Sequence, residues 1–156
     1  RQYPWETLVS YIFSSNNTIT NIKKIIARLF EHYSHFPSAE ELASETEESL
    51  SYLRAGFRAK YILDAAERVA SGEISLKAVK AMPYPQAKAE LMKIKGVGPK
   101  VADCVLLYGL HFEEAFPIDV WIKRALETFY PQGLPECVRG TEGIAQLYLF
   151  NYIRNL

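Results

Sequence analysis

The sequence predicts an all-α protein. Apolar residues recur at three- and four-residue spacing along nearly the whole chain, and no long stretch alternates apolar with polar residues as a half-buried strand would. Capping residues, prolines and glycines also punctuate the periodic stretches at helix-length intervals. The elements follow in order. Pro4 suits a first helical turn, and Trp5, Leu8, Val9, Ile12 and Phe13 follow on one face. Ile22, Ile25, Ile26, Leu29, Phe30 and Tyr33 form a second apolar stripe. Ser38 with Glu41 reads as a capping box, and Ser44 with Glu47 as the opening of the next short helix. Residues 57–71 make a longer helix stopped by Gly72. A short helix over 75–82 ends at a Pro83-Tyr84-Pro85 turn, and another runs to about Ile94. Lys95-Gly96-Val97-Gly98-Pro99 interrupts the pattern, which resumes to Leu110. Asp119 caps a helix reaching Tyr130, the Pro131-to-Pro135 loop follows, and a last helix covers about 142–154.

The 156 residues, 49% hydrophobic and 23% charged, make one domain or two small lobes sharing a core, and exclude a wholly disordered chain. No apolar run reaches the ~18–20 residues of a membrane span. Cys104 and Cys137 cannot supply a disulfide framework, nor alone a four-ligand metal site, which points to a reducing compartment. The chain opens at Arg1 rather than Met, as a piece of a longer protein would. Basic and acidic residues number 18 each, yet residues 51–100 hold ten basic against four acidic residues. The flanking stretches each hold four against seven. Such a stretch can present a basic face to a polyanion, although charge alone favours solvated helix faces.

The stretch from Leu91 to Cys104 carries the most chemistry: helix, Gly96-Val97-Gly98 turn, helix. Gly96 and Gly98 can take positive φ and let a surface approach the backbone. Pro99 fits a first helical turn, where no N–H is required. The free N–H groups of such a turn and helix N-terminus suit phosphate oxygens without any net positive charge. Spacing leaves this reading and a plain helical corner equally open. Lys100 follows the turn, where helix-terminus charge and desolvation in a pocket favour a neutral, nucleophilic amine. A charged lysine on a phosphate and a solvated lysine are the other readings. Cys104 is one turn on, on the same face, and by itself reads as a small buried apolar residue. Asp119, after Phe116-Pro117-Ile118, reads first as an N-cap and second as a carboxylate facing developing positive charge on a sugar ring.

The run Lys95-Gly96-Val97-Gly98-Pro99-Lys100-Val101-Ala102-Asp103-Cys104, with Asp119 nineteen residues after Lys100, resembles the helix-hairpin-helix DNA glycosylase superfamily, and within it the 8-oxoguanine DNA glycosylases. Ser14-Ser15-Asn16-Asn17, Gly56-Phe57-Arg58-Ala59-Lys60-Tyr61 and Gly143-Ile144-Ala145-Gln146 with Phe150 match further family segments in the expected order, so the similarity spans essentially the whole chain.

The resemblance implies two helical lobes with a cleft between them, the hairpin at about 87–110 and the helical region over 1–156. The family places a β-rich lobe before the segment that begins here, and the lobe is expected to be absent from this chain. The resemblance assigns Lys100 attack on the anomeric carbon with Schiff-base formation and strand cleavage, and Asp119 stabilisation of the oxocarbenium-like transition state. It further assigns Gly96, Val97 and Gly98 to a DNA phosphate, Asn17 to the hole left by the flipped nucleotide, Phe57 to a wedge and Arg58 to the opposite cytosine. Cys104 and Phe150 would sandwich the flipped base while Gln146 reads its Watson–Crick edge, returning the few kcal/mol that flipping costs. Asn21 and Trp121 stand where better-known members carry an arginine and a histidine, which implies looser opposite-base discrimination and a divergent, prokaryotic branch.

Two cysteines cannot supply the four of an iron–sulfur cluster, so neither metal nor other cofactor is expected. The implied partner is damaged double-stranded DNA, with no membrane, bound by a monomer. The compartment would be the nucleoid-containing cytoplasm of a prokaryote or the nucleus of a eukaryote. Two other functions stay open: a DNA-binding module without chemistry, and a monofunctional alkyl-base glycosylase that needs Asp119 but no lysine nucleophile.

Overall fold

The computed structural model describes residues 3–156, and none of these lies in a strand. Helix α1 (Pro4–Ser14) buries Leu8, Val9, Ile12 and Phe13 completely. Each fully buried side chain of this size contributes roughly 1.5–3 kcal/mol. Around α1 pack α2 (Ile19–Tyr33) and α4 (Arg58–Ala70). The helix entered at α7 (Pro99–Cys104) and continued by a π-helical turn (Val105–Gly109) packs there too. Gly109 lies against Thr7, a contact that leaves no room for a larger residue without movement. The Trp5 indole N–H donates to the Pro37 carbonyl at 2.9 Å and fixes where α1 begins.

Local chemistry sets the boundaries. The Thr18 hydroxyl caps α2, and Ser34, at φ +62°, ends it. The Ser38–Glu41 capping box opens α3 (Ala39–Ala43). The expected Ser44–Glu47 opening does not form: the Ser44 hydroxyl donates to the Glu41 carbonyl instead. Thr46 and Ser49 exchange side-chain-to-backbone bonds at the start of a 3-10 turn (Ser49–Leu53), because that pair has the three-residue spacing at the actual turn. Gly72, at φ +79°, follows α4 as expected.

Ser75 caps α5 (Leu76–Lys80). The Pro83-Tyr84-Pro85 stretch is not a turn closing α5 but the start of α6 (Tyr84–Leu91), where Pro85 needs no backbone donor. Asp119 caps α8 (Val120–Phe129), and α9 runs from Glu142 to Arg154.

The main core runs from Leu8 to Ala115 through α1–α7 and the π turn. Helices α8 and α9 form a smaller pair that buries Ile122, Ala125 and Ile153 outside that cluster. The pair docks where Gly143 N–H donates to the Glu113 carbonyl at 2.7 Å and the Gly143 backbone sits on Leu107 and the Ala115 carbonyl. A side chain at 143 would have no space there. No described helix is long and apolar enough to cross a membrane.

Candidate functional site

The hairpin joining α6 to α7 is built on two different glycines. Gly96 sits at φ +82°, and a Cβ there would run into the Tyr61 ring of α4. Gly98 is extended (φ −90°, ψ −176°) and does not use the positive φ open to a glycine, and a Cβ there would meet nothing within 4 Å. Val97 is not a phosphate donor: its N–H is spent on the Ile94 carbonyl and its side chain lies in the core. Gly98 has no side chain with which to cap α7, so no side chain covers the first backbone N–H groups of that helix. The hairpin base is pinned by Asp64, whose Oδ2 accepts from Lys95 N–H at 2.8 Å and Arg68 Nε at 2.9 Å. Burial pushes the Asp64 carboxyl up, but these hydrogen bonds and the two cations outweigh it and hold it below its ordinary value.

A second brace lies beneath the hairpin. The buried Asp103 carboxylate accepts from the Tyr84 hydroxyl at 2.7 Å and Lys88 Nζ at 2.8 Å, tying α7 to α6. Its contacts are structural. A lone carboxylate inside the otherwise apolar Val101–Leu107 stretch is the sequence signal for such a buried partner.

From the hairpin a continuous row of contacts leads to the α1–α2 loop. Tyr61 meets Phe57 edge to face at 5.8 Å, and the Arg58 guanidinium lies 4.5 Å from the Phe57 ring centre. Phe57 is half exposed. Arg58 is not a solvated or free reader: it is buried, donating to the carbonyls of Ser15 (2.7 Å), Asn16 (2.7 Å) and Ala55 (3.2 Å). Three of its five N–H groups are engaged, which leaves two. Asn17 is not a free probe either. Its Nδ2 donates to the Phe13 carbonyl at 2.9 Å, and its Oδ1 accepts from Thr18 N–H at 2.9 Å and Asn21 Nδ2 at 2.8 Å. These bonds join the end of α1 to the start of α2. The exposed neighbour Asn16, held at φ +47° with its carbonyl clamped by Arg58, is the residue that projects. Asparagine's tolerance of positive φ was the available signal.

Lys100 opens α7 one turn before the buried Cys104. Lys100 is solvent-exposed, so the described residues supply none of the expected desolvation at its amine. Burial pushes the Cys104 thiol up to about 12; the Lys100 charge opposes this, while the Asp103 and Asp119 charges add to it. The thiol therefore stays protonated, and no thiolate faces Lys100. The charges of Lys100 and Asp119 both reach that one sulfur, with opposite effects on it. Asp119 Oδ1 accepts from Ile122 N–H at 2.8 Å, so the carboxylate is fixed as the α8 cap, and among the described residues no hydrogen bond engages Oδ2.

Gln146 is buried on α9, with Nε2 3.3 Å from the Pro117 carbonyl and Oε1 3.4 Å from the Tyr108 hydroxyl. Tyr108 lies in the π turn just beyond Cys104, so Gln146 sits beside the Cys104–Asp119 group. Phe150 is half-buried one turn further along α9, with the Arg154 guanidinium 5.3 Å from its ring centre. Among the described residues no group of three or more His, Cys, Asp or Glu could hold a metal ion.

Comparison with known proteins follows the same outline. The chain is 38% identical over 152 residues to an N-glycosylase/DNA lyase of Saccharomyces cerevisiae, covering 83% of this chain and 40% of that protein. Among solved structures it superposes on MBOgg1, determined with a low-affinity DNA ligand, at a TM-score of 0.91 and 43% identity over 99% of this chain and 61% of the other. The 8-oxoguanine glycosylase/lyase of Clostridium acetobutylicum, bound to duplex DNA with cytosine opposite 8-oxoguanine, superposes at 0.86 with 37% identity and the same two coverages, 99% and 61%. This chain thus spans between two fifths and about three fifths of the length of these relatives. The profile of the HhH-GPD superfamily base excision DNA repair proteins matches residues 9–133, most of the chain, and this protein belongs to that family.

Proposed function

We propose that this chain is the helical catalytic part of a base-excision repair enzyme that removes 8-oxoguanine opposite cytosine from duplex DNA and then cleaves the strand. The observation that carries the reading is an exposed Lys100 one helical turn before the buried, neutral Cys104 thiol, together with an Asp119 carboxylate held as the α8 cap whose charge reaches the same sulfur. The relatives named as N-glycosylase/DNA lyases support it. A phosphate clamp without chemistry needs neither a lysine nor a carboxylate in those places.

Bound DNA would cover Lys100 and supply the desolvation that the free chain lacks, favouring the neutral amine. The Nζ lone pair adds to C1′ of the damaged nucleotide while the glycosidic bonding pair leaves on the base, which takes up the proton the amine sheds. Asp119 Oδ2 stabilises the positive charge that spreads over the sugar during this exchange. Opening of the sugar ring gives a Schiff base, and loss of a C2′ proton expels the 3′ phosphate. Gly98, with open space over its Cα, takes the phosphate backbone, and the N–H groups of α7 face it. Asn16, Phe57 and the two spare N–H groups of Arg58 meet the opposite strand. Cys104, Gln146 and Phe150 receive the extruded base.

The protein would work as a monomer, at the nucleoid of a prokaryote or in the nucleus of a eukaryote. The test is an assay of the complete natural chain on duplexes carrying 8-oxoguanine or guanine opposite cytosine. Base release and strand scission are expected on the oxidised duplex alone. Tight binding of that duplex with neither product would replace this reading with that of a binding module.

A further inference from the structure

We propose that the Tyr11 hydroxyl is a further contact to the extruded base, reaching it from α1. The inference rests on the reading above, in which Cys104 and Gln146 receive that base.

Helix α1 packs against the helix that carries Cys104 and against the π turn that continues it. Thr7 of α1 lies against Gly109. One turn further along α1, the Tyr11 ring lies almost parallel to the Tyr108 ring, at 5.8 Å and 14°. The Tyr108 hydroxyl is 3.4 Å from Gln146 Oε1, and Cys104 stands one turn before Tyr108. Tyr11 therefore borders the Cys104, Tyr108 and Gln146 group from a separate helix.

Tyr108 and Gln146 hold each other, whereas among the described residues no hydrogen bond engages the Tyr11 hydroxyl. Unlike the unpartnered Tyr52 hydroxyl, it is not sealed inside the protein. Tyr11 packs half-buried against the core, so its ring cannot carry the hydroxyl elsewhere without giving up the stack on Tyr108. Burial pushes the phenol up, and the neighbouring Cys104 and Tyr108 groups add to this, so it stays protonated and able to donate. The α1 side of the site thus offers one accessible polar atom that is held in place and unspent.

A base seated beside Cys104 displaces water from that atom. A phenol that loses water without gaining a partner opposes binding. An oxidised purine carries carbonyls, ring nitrogens and N–H groups around its edge, and a hydroxyl serves either kind, accepting from a donor or donating to an acceptor. A phenylalanine ring in this place would offer the same apolar wall without that bond. An abasic site leaves the space to water and makes no demand on the hydroxyl.

Tyr11→Phe keeps the ring and its stacking and removes only the hydroxyl. In the complete natural chain, single-turnover base release from a duplex with 8-oxoguanine opposite cytosine is expected to slow roughly two- to tenfold, the worth of one hydrogen bond. Strand scission at a preformed abasic site opposite cytosine is expected to keep its wild-type rate, and the thermal midpoint to stay where it is. Base release at the wild-type rate overturns the proposal and leaves the excision reading intact. An equal slowing of both reactions does the same, because it makes the hydroxyl part of the scaffold. A wild-type protein that releases no base removes the excision reading, and this inference with it.

Discussion

The two walls of the candidate site are built on opposite plans. On the hairpin wall, Lys100 stands in solvent and Gly98 has empty space above it. On the α9 wall, Gln146 is buried with both ends of its amide engaged before anything binds. On the proposed reading, the group that would read the base is held before binding, whereas the group that would react stands in solvent. A lysine left exposed costs the protein no desolvation, and on the proposed reading a substrate seated over the hairpin would supply the desolvation that a nucleophilic amine needs. The hairpin's own rigidity comes from beneath, through the Tyr61–Gly96 contact, the Asp64 pin and the Asp103 brace.

The largest test of this contrast is Lys100→Gln. It should lower excision by on the order of a thousandfold or more while changing the unfolding free energy by less than about 0.5 kcal/mol, since the side chain is exposed. A matching loss of stability would show that Lys100 is part of the scaffold. The two glycines separate next. Gly96→Ala meets the Tyr61 ring at positive φ and should cost about 3 kcal/mol in chemical denaturation. Gly98→Ala should leave stability nearly unchanged and weaken duplex binding. Equal stability losses would erase the distinction.

Asp103→Ala strands the Lys88 ammonium, which is partly exposed, and should cost about 2 kcal/mol in the same measurement. Smallest is a pH effect at Asp64. Its folded carboxyl sits below its ordinary value of 3.8, so its contribution is complete above that pH and is lost as pH falls through the folded value. Asp64→Asn should flatten the acid limb of the stability curve, and an unchanged limb would show that the pin carries nothing.

Much of this was legible in the sequence for local reasons. Pro4, the Ser38–Glu41 box, Gly72 and Asp119 act within three or four residues of themselves, so spacing alone places α1, α3, α4 and α8. The misread openings are also local, since Thr46–Ser49 competes with Ser44–Glu47 at the same spacing and a proline pair fits a turn or a first helical turn. Side-chain state was less legible, because it depends on partners far along the chain. Arg58 reaches carbonyls 42 and 43 residues away, and Gln146 is held by Tyr108, 38 residues before it. The exposure of Lys100 likewise depends on what fails to pack over it, which no motif encodes.

The central claim is that the Lys100 amine bonds to the sugar. Borohydride added during turnover on an 8-oxoguanine duplex should trap a covalent protein–DNA adduct whose modified peptide contains Lys100, and Lys100→Gln should give none. An adduct mapped to another residue, or excision that proceeds with nothing trapped, would contradict the account.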